Sequence, residues 1–172
     1  MLYKANDLTC IKMIDFGLSK DYSQGGIMHT LSGSPYYMAP EVFLQNYNSK
    51  IDIWSMGVVL YIMLSGKVPF PGRTEPEIIY NVIKGEFNFD YNAFKNVSDE
   101  CKDFIKNCLV REYEQRYTAT QAISHSWIQK HAVKEAANHM QEGTIGENGI
   151  SSTVIGDIDK VIKQAEIKNA AL

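Results

Sequence analysis

The sequence predicts a mainly α-helical fold that opens with a short β-hairpin. Three observations predict it. Apolar residues recur at helical spacing in several windows after residue 40, cap and stop signals bracket those windows, and the hairpin-like runs lie within the first fifteen residues. With 172 residues, 45% apolar and 11% aromatic, the chain can bury a core. Charged residues make up 22%, too few among this many hydrophobes for a disordered or collagenous protein.

The hairpin is read from Leu2-Tyr3-Lys4 and Cys10-Ile11-Lys12-Met13-Ile14, with Asn6-Asp7 as the turn. From Gly17 to Pro40 no apolar period is sustained, and Gly25-Gly26, Gly33 and Pro35 punctuate the stretch. A loop of that length inside a compact domain is functional or disordered. Ile51 to Leu64 is the longest apolar run, interrupted by Asp52, Ser55 and Gly57. It falls short of the roughly 20 residues that cross a bilayer. It reads as a helix buried on nearly all sides and capped by Gly66.

Thr74 and Glu77 then form a capping box before Ile78, Ile79, Val82 and Ile83, and Gly85 ends that helix. Ser98 caps the next, with Asp99 and Glu100 at its positive end. Its apolar residues Cys101, Phe104, Ile105, Cys108 and Leu109 form one stripe. Thr118 and Gln121 form a further capping box, leading into Ala122, Ile123, Trp127 and Ile128. Near residue 141 the composition shifts to Gly, Ser and Thr, which reads as a linker, and an amphipathic segment from Ile158 to Leu172 comes after it.

Seventeen Lys and Arg against twenty Asp and Glu give a net charge of −3. That balance implies no polybasic face for nucleic acid or membrane and no acidic tail. Cys10, Cys101 and Cys108 cannot pair completely and lack zinc-site spacing; Cys101 and Cys108 read as buried thiols on one helix face. The first residues lack the charged start and apolar core of a signal peptide. A reduced, cytoplasmic protein is expected, with the nucleus as the other compatible compartment. The four histidines show no metal-ligand clustering, and His125 beside Trp127 reads as packing.

Asp15-Phe16-Gly17 comes directly after a strand-like run, so its carboxylate stands at a strand end with a glycine hinge behind it. Ala39-Pro40-Glu41 comes 23 residues after Phe16, preceded by Gly33-Ser34-Pro35-Tyr36-Tyr37-Met38. Here the chain resembles a protein-kinase catalytic domain, in which such motifs bracket the activation loop. Asp52-Ile53-Trp54-Ser55-Met56-Gly57, Pro69-Phe70, Arg116 and His125-Ser126-Trp127 continue the resemblance in order, over roughly residues 1–130. Asp15 through Lys20, Gly33 through Glu41 and Asn96 through Asp103 are similar to the calcium/calmodulin-dependent group, above all to the calcium-dependent kinases of plants and protists.

The resemblance implies a kinase large lobe over 1–130, a helical extension and linker over 131–157, and a junction or regulatory helix over 158–172. It implies ATP and Mg²⁺ as cofactors, Asp15 as the metal-binding carboxylate, and Phe16 packed into the lobe to set the direction of Asp15. Ser34 would support the catalytic apparatus, with a simple turn serine as the competing reading. Pro35, Tyr36, Tyr37 and Met38 would line the substrate floor. Glu41 and Arg116 would form a buried ion pair, Asp52 would hold catalytic-loop backbone, and Trp54 and Gly57 would be structural. Thr30, ahead of Ser32 and Ser23, is the first candidate for activation-loop phosphate. The implied partners are protein substrates and a calcium-sensor domain or calmodulin-like protein, with calcium acting through a downstream domain.

The departures are equally definite. The sequence contains no Gly-x-Gly-x-x-Gly loop, no lysine in a Val-Ala-Ile-Lys context, no helix glutamate to pair with it and no His-Arg-Asp. Leu2-Tyr3-Lys4 resembles the stretch just past the family's catalytic loop, so the expectation is a lobe cut immediately behind that loop. Ser126 stands where the family has proline, and Ile62 where some basic-directed kinases have an acidic residue. The function read from the sequence is therefore a serine/threonine kinase fragment, inactive alone, from a parent that is calcium-regulated. The alternative is a non-catalytic lobe acting as a protein-binding or regulatory module.

Overall fold

The computed structural model describes residues 2–4, 7–11, 14–20, 26–29 and 33–131. Thr30, Ser23, Ser32, the linker and the 158–172 segment lie outside them. The described chain runs β1 (Leu2–Lys4), β2 (Asp7–Ile11), α1 (Pro40–Phe43), α2 (Ile51–Ser65), α3 (Glu75–Lys84), a 3₁₀ turn (Asn92–Asn96), α4 (Asp99–Cys108) and α5 (Ala119–Ile123). Residues 126–131 are helical again. Two compact units result. One holds the hairpin, the stretch through Gly17 and the described residues from Ser124 on; the other is Leu18–Ile123.

In the first unit β1 and β2 pair antiparallel, Leu2 opposite Ile11 and Lys4 opposite Asp7, with an irregularity between. The second strand thus begins at Asp7, three residues before the strand read from the apolar run. Hairpin loops are short, so pairing starts as soon as the turn is complete and draws in the polar Asp7 and Thr9. Within the same unit Trp127 is buried. Its backbone N–H donates to His125 Nδ1 at 3.1 Å, and its ring meets His131 edge-on at 5.6 Å. His125 thus accepts a backbone N–H at the start of the helical residues 126–131.

The second unit is built around α2. Gly66 (φ 66°) caps its C-terminus, donating to the Ile62 carbonyl at 2.7 Å. Ile53, Trp54, Gly57, Val58, Tyr61 and Leu64 are buried, while Met56 and Val59 are 40% and 43% exposed. The helix is accordingly not wrapped on all sides. The uncovered side runs through Asp52, Ser55, Met56 and Val59, and its only polar markers are Asp52 and Ser55 near the start of the helix. α4 closes on α2 at Gly57, where an added Cβ would lie 2.7 Å from Cys108 Cβ and 3.1 Å from Leu109 Cδ2. Glycine is what permits that approach.

The three capping signals are all present. Glu77 N–H donates to Thr74 Oγ1 at 3.4 Å while Glu77 Oε2 reaches back to Arg73 N–H at 2.8 Å. Cys101 N–H donates to Ser98 Oγ at 3.2 Å. Thr118 and Gln121 exchange bonds of 2.8 and 3.2 Å. The α4 stripe (Cys101, Phe104, Ile105, Cys108, Leu109) is fully buried, and both thiols are free. Burial pushes the Cys108 thiol up to about 12, so it stays protonated and inert. Ile123, placed on the apolar face by its spacing, is instead 63% exposed. A five-residue helix buries only one position, Ala122.

Aromatic rings extend the core beyond the helices. Trp54 stacks on Phe70 at 5.2 Å, Phe70 meets Phe87 at 5.9 Å, and Phe87, Phe89 and Phe94 continue edge to face. Tyr61 joins Phe94 at 4.8 Å and donates its hydroxyl to the Asn88 carbonyl at 2.7 Å. Burial, then the nearby Tyr91 and Asp90, raise that phenol to about 12. The ring thus stays a donor and a core residue at once.

Candidate functional site

The candidate residues lie at the two ends of the loop-rich stretch from Asp15 to Glu41. Asp15 takes a left-handed backbone (φ 64°), and its Oδ1 accepts from Gly17 N–H at 3.2 Å. Aspartate tolerates that conformation because its short side chain can bond the backbone two residues on. A Cβ on residue 17 would lie 3.2 Å from the same oxygen, so glycine leaves the carboxylate room. Asp15 is exposed, and Phe16 is 65% exposed rather than packed into a core. The ring sits beside the turn that Asp15 and Gly17 close.

The other end is held far more firmly. Ser34 is exposed, and its carbonyl accepts from Tyr37 N–H at 3.0 Å, closing a turn with Pro35 at its second position. Pro35 and Tyr36 are half-buried, Tyr37 is 42% exposed, and Met38 and Ala39 are buried. Pro40 opens α1, where its missing N–H costs nothing. The next residue, Glu41, is 4% exposed.

Arg116, 75 residues on and 1% exposed, meets Glu41 side to side: Nη1 to Oε1 at 2.5 Å and Nη2 to Oε2 at 2.9 Å. Its Nε donates to Val110 carbonyl at 2.9 Å, Nη1 also to Lys50 carbonyl at 3.2 Å, and Nη2 also to Arg111 carbonyl at 3.3 Å. A guanidinium has five N–H donors, and these five acceptors use all of them. The cation lies 4.9 Å from the Trp54 ring centre. Lysine could not substitute for this planar fork.

Two further residues brace the Ser34–Met38 turn and the turn that carries Arg116, and sequence reading missed both. Ser55 Oγ is 2.8 Å from the Tyr37 carbonyl and 3.2 Å from the Ile51 carbonyl, so its proton ties α2 to the Ser34–Met38 turn. Lys50 Nζ donates to the carbonyls of Tyr113 and Glu114 at 3.0 and 2.9 Å, bracing the turn that carries Arg116. A serine inside a helix is a weak signal for such a bond. Lys50 leaves none, because its partners are 63 and 64 residues away.

Asp52 lies on the exposed side of α2, and partial desolvation shifts its carboxyl upward from its ordinary value. The structure thus brings Glu41, Trp54 and Arg116 together and places Tyr37 beside Ser55. Among the described residues no group of three His, Cys, Asp or Glu, with Asp15 or without it, is arranged to hold a metal. One carboxylate fits what Mg²⁺ takes when nucleotide phosphates supply the remaining oxygens. It would not hold the ion unaided.

Comparison with known proteins agrees with this geometry. A family described as the protein kinase domain matches residues 1–128. Calcium-dependent protein kinase 25 of Arabidopsis thaliana is 38% identical over 162 residues, 94% of this chain and 29% of the relative. Calcium-dependent protein kinase 16 of Oryza sativa subsp. japonica is 43% identical over 128 residues, 74% and 23% of the two chains. Calcium-dependent protein kinase 3 of Plasmodium yoelii yoelii is 41% identical over 131 residues, 76% and 24%. The chain therefore spans under a third of these relatives. From its Asp-Phe-Gly turn to the Glu41–Arg116 pair, it belongs to the protein kinase domain family.

Proposed function

We propose that these residues form part of a calcium-regulated serine/threonine kinase, and that on their own they do not transfer phosphate. The observation that carries the reading is the Glu41–Arg116 pair, which pins the end of the loop-rich stretch to the helical unit beside Pro35–Met38, the turn proposed as the substrate floor. In the parent reaction the γ-phosphoryl group passes from ATP to a Ser or Thr hydroxyl, whose proton must go to a base. Asp15 would supply one carboxylate to Mg²⁺, which neutralises phosphate charge when bound. The 172 residues hold no His-Arg-Asp and hence no such base by motif. Ser34 is read as support for the catalytic apparatus, Thr30 as a regulatory phosphate acceptor, and Asp52 as a backbone anchor on the exposed side of α2.

Calcium control is supported by the names of the relatives, all calcium-dependent protein kinases. It would act through a sensor domain or calmodulin-like partner. A cytoplasmic location is part of the proposal, in keeping with three cysteines in the sequence that cannot pair completely. A second reading, a lobe that docks proteins without catalysis, is favoured by one feature: a groove of about 280 Å³ lined by Pro40, Leu44, Ile83, Arg111 and Tyr113 among others. The experiment is a radiolabelled ATP assay with a Ser/Thr protein substrate, with a nucleotide titration, on the purified 172-residue chain. No turnover and no saturable nucleotide binding are expected. Turnover that disappears in Asp15→Asn would show that the isolated chain is itself a catalyst and overturn the second half of the proposal.

A further inference from the structure

Between the Asp-Phe-Gly and Ala-Pro-Glu motifs, one short piece of chain is tied down by groups that neither motif uses. Met28 makes an isolated antiparallel bridge with Tyr47. Its N–H donates to the Tyr47 carbonyl at 2.8 Å, and Tyr47 N–H donates back at 3.3 Å. Next to it, His29 Nδ1 lies 2.5 Å from the Gln45 carbonyl oxygen. A carbonyl can only accept, so Nδ1 carries the proton.

Gln45 is the other unusual partner. It has φ 53°, a left-handed conformation for a residue that is not glycine, just past the end of α1. Its N–H is used by the helix end, donating to the Val42 carbonyl at 3.0 Å, while its carbonyl meets the His29 ring. A left-handed residue with a side chain persists where its surroundings hold it.

We propose that His29 is a positioning residue. Its Nδ1–H, together with the Met28–Tyr47 bridge, staples the inter-motif segment to the turn after α1, one residue before Thr30 in the sequence. That the stapled piece is a kinase activation segment rests on the reading above; the staple itself rests only on these contacts. His29 is exposed, so changing it leaves the core untouched.

The test is amide hydrogen exchange on the purified 172-residue chain, comparing wild type, His29→Leu, His29→Asn and Thr30→Ala. Leucine keeps bulk and loses the donor, whereas the asparagine amide places an N–H near the Nδ1 position. Exchange at the Met28 and Tyr47 amides should accelerate about tenfold in His29→Leu. It should return most of the way in His29→Asn and stay at the wild-type rate in Thr30→Ala, with α2 amides and Tm unchanged throughout. Unchanged exchange in His29→Leu overturns the proposal, as does a loss that asparagine fails to restore. An absence of kinase activity in the parent protein would leave these exchange rates as they are, so the two readings fail separately.

Discussion

Arg116→Ala should destabilise the helical unit by about 3–5 kcal/mol. The change leaves the Glu41 carboxylate 4% exposed with no cation opposite it, and deprives the Lys50, Val110 and Arg111 carbonyls of a donor each. For a unit of this size, each kcal/mol moves Tm by about 4–8 °C, so the expected shift exceeds about 12 °C. Arg73→Ala is the control. Its guanidinium is on an exposed residue and only its backbone N–H engages Glu77, so the change should stay within about 0.5 kcal/mol. Arg116→Lys should fall between, since one ammonium cannot satisfy five acceptors arranged around a planar fork. Thermal melts monitored by circular dichroism decide it. Equal shifts for Arg116→Ala and Arg73→Ala would sink the pairing.

Gly57→Ala is the second large effect, and its sign runs against helix propensity. Alanine in place of glycine within a helix ordinarily stabilises by about 1 kcal/mol. Here the new Cβ would lie 2.7 Å from Cys108 Cβ and 3.1 Å from Leu109 Cδ2, so α4 must move away from α2. Overpacking of this kind costs about 1–3 kcal/mol, and the net change should be destabilising. The contact can be relieved from the other side. Cys108→Gly removes the opposing Cβ, and the double variant should be more stable than the sum of the two single changes predicts. Additive urea midpoints would show that the two positions do not meet.

The range of each interaction decides how much of the fold is legible in the sequence. Helix starts at Thr74, Ser98 and Thr118 and stops at Gly66 and Gly85 are legible because caps are local; donor and acceptor lie within four residues. The α4 stripe is legible from spacing alone. The uncovered side of α2 is only half marked: Asp52 and Ser55 lie on it, but Met56 and Val59 continue it with apolar residues that look like core. The 3₁₀ turn at Asn92–Asn96 and the ring cluster it completes around Phe94 escape for a related reason. The rings come from α2, from the stretch that carries Phe87 and Phe89 and from the turn itself, and no period links these segments.

In the site itself, Glu41 and Arg116 are paired by family resemblance and not by pattern; nothing local announces a contact across 75 residues. Ser55, Lys50 and His29 go unread for the same reason, since each bonds a carbonyl far along the chain. Phe16 shows the converse. The resemblance places its ring inside the lobe, but the described residues leave it 65% exposed. Packing depends on what surrounds a side chain, and a tripeptide does not specify that.

The most direct test of the account joins the residues that precede the matched region in calcium-dependent protein kinase 25 of Arabidopsis thaliana to the front of this chain, in frame. Incorporation of phosphate from ATP into Ser or Thr of a protein substrate is then measured, with and without Asp15→Asn. The account predicts transfer by the fused protein and a fall of at least about a hundredfold when the Asp15 carboxylate is removed. A folded fusion that binds ATP yet transfers nothing, or one whose transfer ignores Asp15→Asn, would contradict it.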